Sequence, residues 1–341
     1  MLKFCDEFGM ELNVSKTKFF VINSEPTDKE PLIVGDKVIN YCWKYLYLGS
    51  WFTDDAKTKS ALKLHENNLQ DNLNKFIIFC KVNTEMPYYY KSLVMDAAVV
   101  SSIFYGCESW LTENPDIAIK TYNQLLKRLL GVRPNTSPDL CLIESGKSPA
   151  KAIIQHKLKT FMEKKFRNID MEEPFHIAYD LCKNANTPGF KFLRKILATN
   201  QNTNSLENIA QKVRDKTDAT KMSTYNTQLN PDLTTHKVYG KSYCIPDYIR
   251  SSFTRLRLMS HNLKIETGRW SRIPRENRVC HCDRLHVQNE KHVLLDCPLT
   301  TATRLQFNIP QYNSLNELWI SDNVANTCNF VHCVLNMFER S

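Results

Sequence analysis

Three cysteines and a histidine near the C-terminus follow the spacing Cys-x-Cys-x9-His-x4-Cys: Cys280, Cys282, His292 and Cys297. Thiolates and imidazole are the ligands zinc prefers, and a structural zinc site closes with four of them arranged tetrahedrally. The two closely spaced pairs can share one ion, and the polar loop between them supplies a hairpin. Four protein ligands leave no position for water, so the spacing predicts a structural ion rather than a catalytic one. His281 and His286 are competing ligands in the same stretch.

The segment before this cluster is basic. From Gly240 to Cys280 there are nine Lys/Arg against three acids, a net of six out of a chain total of +9. Arg255, Arg257, Arg269, Arg272 and Arg275 are interleaved with Phe253 and Trp270. Arginine offers bidentate contacts to phosphate, and a tryptophan can stack on an unpaired base. The expected partner is therefore RNA or DNA. Lys120, Lys127, Arg128 and Arg133, on a predicted helix over 117–130 and just beyond it, extend the same basic character.

Other chemistry is poorly represented. The chain has no Gly-rich phosphate loop, no Gly-x-Ser-x-Gly and no His-Glu-x-x-His. Asp54-Asp55 are adjacent acids after an aromatic strand, read as a turn rather than a metal pair. Most of the twelve cysteines are scattered singly, the opening Met1 to Glu7 is too polar to read as a secretory h-region, and no apolar run reaches the roughly twenty residues of a membrane span. These features predict a reducing compartment, nucleus or cytoplasm, and no membrane partner.

The elements that must position these groups read as α+β, mostly helical. Strands are expected at Phe19 to Ile22 and Tyr45 to Trp51, with a tight hairpin at Leu32 to Ile39 around Gly35-Asp36-Lys37. Helical stripes fall over 62–80, 93–104, 117–130, 153–166, 175–182, 190–197, 206–213 and 248–265. The polar stretch from Asp215 reads as a linker. The expected organisation is a sheet remnant (1–54), a helical region (55–214), a linker (215–240) and a basic segment with the metal module (241–341).

Taken in order, several segments resemble the C-terminal part of the polymerase polyprotein of a non-LTR (LINE-type) retrotransposon. Phe8 to Lys18 resembles the end of the reverse transcriptase palm. Tyr45-Leu46-Tyr47-Leu48-Gly49 resembles the primer-grip hairpin. Tyr105-Gly106-Cys107-Glu108-Ser109-Trp110 resembles an element of the helical thumb region. Leu256 to Arg278, together with the Cys/His residues, resembles the terminal zinc-binding segment. The resemblance implies a palm remnant with a short antiparallel sheet, a thumb-like bundle and a small zinc module. It also implies that Lys16 would assist the leaving pyrophosphate or position the incoming nucleotide.

The family's polymerases need Mg held by palm carboxylates, including a Tyr/Phe-x-Asp-Asp element shortly before the segment where this chain begins; Phe52-Thr53-Asp54-Asp55 fits that pattern only after the primer-grip-like hairpin, where it reads as a turn. The expected function is a truncated, reverse-transcriptase-derived protein with no catalytic residues, Lys16 orphaned, and zinc-dependent nucleic-acid binding. The alternatives are a fragment of an active RNA-directed DNA polymerase whose catalytic part lies upstream of Met1, and a non-functional relic.

Overall fold

The computed structural model describes residues 2–110, 115–167, 174–198, 205–216 and 221–339. The described chain is mostly helical, with two small antiparallel sheets. It divides into two compact units. Met1–Asp71, Phe104–Ala118 and Ile154–Ala198 form the first; Asn72–Ile103, Ile119–Ile153 and Thr199–Ser341 form the second. The helical region expected over 55–214 is therefore shared between two units rather than being one.

In the first unit, β1 (Leu32–Val34) and β2 (Lys37–Ile39) make the expected hairpin, with Val34 opposite Lys37. The apolar run after Trp43 is not one strand but a second hairpin, β3 (Lys44–Tyr47) with β4 (Ser50–Thr53). Leu48 and Gly49 both adopt positive φ, the geometry of a two-residue turn that matches strand twist. A Cβ on Gly49 would lie 2.5 Å from a ring carbon of Tyr105, so this turn closes against the Tyr105 ring. Phe19 makes only an isolated bridge to Tyr41, and the expected strand there is absent. Ile33, Trp43, Tyr47 and Leu48 stay exposed on these two-stranded ribbons. The helices Ala150–Arg167, Pro174–Asn184 and Pro188–Ala198 pack through a ring cluster of Phe161, Phe166, Phe175, Tyr179 and Phe190.

The second unit is built around a buried polar network. Glu144, at the end of the helix Pro138–Ser145, is fully buried. Its carboxylate accepts from Arg257 Nε at 2.6 Å and Nη2 at 3.1 Å, from Tyr225 at 2.7 Å and from Tyr239 at 2.8 Å. Burial raises the Glu144 pKa, but the adjacent Arg257 guanidinium and these hydrogen bonds more than offset it, leaving it below the ordinary value. About two helix turns before Arg257, buried Arg250 pairs with Asp247, which also takes Lys91 Nζ at 2.7 Å. Arg250 donates to the carbonyls of Leu130 at 2.8 Å and Leu129 at 3.1 Å. Those carbonyls end the helix Asp116–Leu130 and would otherwise lack partners.

This network corrects the sequence reading of residues 215–240. Of that stretch, 217–220 lie outside the described residues. The rest is not a linker: Tyr225, Leu229, Leu233, Val238 and Tyr239 are buried. Some of its polar residues satisfy the interior. Asn230 donates to Tyr225 Oη at 2.7 Å and to the Thr234 carbonyl at 2.9 Å. The basic helix expected over 248–265 is also two helices, Asp247–Arg257 and Lys264–Trp270, broken where Met259 turns to positive φ. Periodicity did not reveal the helix Val324–Glu339, whose buried face packs on Asp247–Arg257.

Replacing Glu144 by Gln leaves the Arg257 charge buried without its partner. The expected cost is about 3–5 kcal/mol, read by denaturant unfolding near pH 7. Because the Glu144 pKa is lowered by folding, the wild-type advantage is full above the ordinary Glu value and shrinks as pH falls through the lowered one. A deficit that does not shrink in acid would sink this account.

Candidate metal centre

The metal module begins with a short antiparallel bridge, Val279 opposite Val287. Cys280 N donates to the His286 carbonyl at 2.7 Å, and Gln288 N to the Arg278 carbonyl at 2.8 Å. Inside this loop Arg284 N returns to the Cys280 carbonyl at 3.0 Å, and Asp283 Oδ1 accepts from the backbone N–H of Leu285 and His286. The loop therefore holds Cys280 and Cys282 by local hydrogen bonds. The second pair comes from a π-helical turn, His292–Asp296. Asn289 Oδ1 caps it by accepting His292 N at 2.8 Å, and Cys297 N donates to the His292 carbonyl at 2.7 Å.

The four ligand atoms of Cys280, Cys282, His292 and Cys297 all lie within 4.8 Å of one another. Cys280 Sγ and Cys297 Sγ are 3.9 Å apart, and Cys282 Sγ lies 3.2 Å from His292 Nε2. Two sulfurs held tetrahedrally about 2.3 Å from one zinc ion would be roughly 3.8 Å apart. This cluster can hold a metal ion, and its donor set and spacing are consistent with zinc. The competing histidines point elsewhere. His286 pairs with Asp283, and the His281 ring packs on Phe338 with centroids 6.1 Å apart.

Surrounding groups fix the ligands. Gln288 Nε2 lies 3.9 Å from Cys280 Sγ, while its Oε1 accepts Lys264 N at 2.8 Å. Lys264 Nζ donates to the Val279 carbonyl at 2.9 Å. Buried Arg304 donates to the Cys297 carbonyl at 3.1 Å. Burial, then the neighbouring sulfurs, pushes the Cys282 thiol up, and burial does the same to Cys297. An ion must displace those protons to bind.

The residues read as nucleic-acid contacts separate into two sets. Arg257 is buried against Glu144, which removes it from any external surface. Half-buried Arg255 caps a helix, its Nε donating to the Gly131 carbonyl at 2.9 Å. Lys127 Nζ donates to the Pro134 carbonyl at 2.6 Å, and Arg128 is half-buried. Arg269, Trp270, Arg272 and Arg275 are exposed. Arg133, distant in sequence, lies over Trp270 with its guanidinium carbon 4.2 Å from a ring centroid. Nothing in the sequence signalled that contact.

Lys16 is exposed on a turn organised by Asn13, whose Oδ1 accepts Lys16 N at 3.2 Å. Asp54 accepts from Tyr41 and Lys29. Asp55 accepts Ser60 Oγ at 2.7 Å and Lys57 N at 3.1 Å, so it is Asp55 that serves the turn into the helix Thr58–Val82. Among the described residues no helix is long and apolar enough to cross a membrane.

Comparison of the chain with protein-family models, curated proteins and solved structures finds no match.

Titration with Co(II), read by its thiolate charge-transfer and d–d bands, is expected to saturate at one equivalent, with Cys297→Ser losing the tetrahedral spectrum. Because the thiols are protonated and raised, affinity falls as pH falls. Uptake independent of pH between about 6 and 8 would contradict thiol ligation.

Proposed function

We propose that this chain binds nucleic acid through a zinc-stabilised C-terminal module, as a retrotransposon-derived protein without polymerase activity of its own. The observation that carries the reading is the convergence of Cys280, Cys282, His292 and Cys297, directly after a segment exposing Arg269, Arg272 and Arg275. The ion would be held by the three sulfurs and His292 Nε2, and its contribution is to stabilise the fold. The exposed guanidiniums would meet phosphates, releasing counterions from the nucleic acid. The excess of +9 on the whole chain supports the same partner.

The ordered resemblance to the end of a LINE-type polyprotein supports the ancestry. On that reading residues 1–54 are a palm remnant and 55–214 a thumb-like region, with Mg chemistry belonging only to an intact polymerase. The engagement of Asp54 with Tyr41 and of Asp55 with Ser60 supports the non-catalytic reading.

The test is RNA binding at about 50 and about 200 mM salt, with and without a strong zinc chelator. Tight binding that weakens steeply with salt and is lost on chelation is expected. Reversing charge at Arg269 and Arg272 together should weaken binding and flatten its salt dependence. Unchanged affinity in that variant would remove this face from the contact. Template-directed DNA synthesis by the purified chain would overturn the non-catalytic assignment.

A further inference from the structure

Trp270 ends the helix Lys264–Trp270 and is 48% exposed, although tryptophan is normally much more buried. One face of the ring is covered by the Arg133 guanidinium at 4.2 Å. Arg133 is itself held in place: its Nη2 donates to Asn262 Oδ1, and its backbone N–H to Ser260 Oγ at 2.9 Å. The ring is thus backed by a fixed cation while about half of the residue remains open to solvent. Exposed Arg269, Arg272, Ile273 and Arg275 lie beside it in the chain. The nearby acids are largely engaged. Glu266 is buried against Lys221 and Arg269, Glu339 acts on Arg133, and Glu276 is the exposed acid of the segment.

Resting on the nucleic-acid reading above, we infer that Trp270 is a stacking platform for an unpaired base, so the chain selects single-stranded over duplex nucleic acid. In a duplex every base face is covered by its neighbours, so a half-exposed ring gains nothing there beyond phosphate contacts. An unpaired base can lie on the open part of the ring, with Arg133 holding it from the other face and Arg272 and Arg275 taking the flanking phosphates. RNA and DNA share this chemistry.

The platform depends on the metal module. Lys264 N and Ile265 N, at the start of the Trp270 helix, are satisfied by Gln288, at 2.8 Å to its side chain and 3.1 Å to its carbonyl. Arg278, just before Cys280, passes over Gly268, where a Cβ would lie 2.7 Å from its Cγ. It donates from Nη1 to the Ile265 carbonyl at 2.9 Å. Losing the ion loosens the loop that carries these contacts.

The experiment uses the full zinc-loaded chain and fluorescence anisotropy with a labelled oligouridine of about 12 nucleotides and a duplex of the same length. The single strand should bind more tightly. Trp270→Ala should weaken it about 10- to 100-fold while leaving duplex affinity and the salt slope unchanged. Trp270→Phe should restore most of the loss. Retention of one equivalent of metal by each variant shows that folding is intact. Equal binding of both forms, with Trp270→Ala silent or equally harmful to both, overturns the stacking inference while leaving phosphate-mediated binding standing. Binding of neither form by the wild type overturns both.

Discussion

The second unit depends on one buried ion pair. Glu144 and Arg257 are both fully shielded from water, and a carboxylate or guanidinium alone there would cost several kcal/mol. The pair persists because nothing is left unsatisfied: four donors converge on the carboxylate, and Arg257 Nη1 reaches the Leu229 carbonyl at 2.8 Å. This requirement joins a short helix, a π-helical turn, a 3-10 turn and a long basic helix in a single arrangement. A slip of any of them would strand a charge in the interior.

The same logic explains where the basic residues go. Arg250 and Arg255 supply donors to the Leu129, Leu130 and Gly131 carbonyls, which a helix C-terminus leaves unpaired and which carry partial negative charge. What looks in sequence like one basic stripe is therefore two populations. One closes the interior, and the other, from Arg269 to Arg275, faces water. The Cys/His cluster connects to the second population through Gln288, Lys264 and Arg278.

Much of the architecture was readable beforehand where the signal is local. The stripe Leu62 to Cys80 became the helix Thr58–Val82, and Gly35-Asp36 became the turn of the first hairpin. The run around Leu46 was harder, since a turn with Leu48 at positive φ breaks the usual preference for Gly or Asn. The stretch after Asp215 was misread because Thr, Asn and Asp mark loops on average, whereas here Asn230 satisfies the Tyr225 hydroxyl and the Thr234 backbone, and Thr235 Oγ1 donates to the Ile143 carbonyl. The helix Val324–Glu339 carries polar residues between its buried ones, which blurred its period.

The sequence by itself singled out the four residues of the Cys/His cluster, because thiol and imidazole donors at those short separations suit one shared ion, and local loops suffice to bring them together. It also determined that the excess positive charge lies just before them. Only the tertiary structure decided which arginines present that charge, that His281 and His286 stand aside, and that Arg133 meets Trp270. Burial and pairing are set by residues more than a hundred positions away, such as Glu144 for Arg257 and Arg133 for Trp270, and a linear spacing carries no record of what lies across the core.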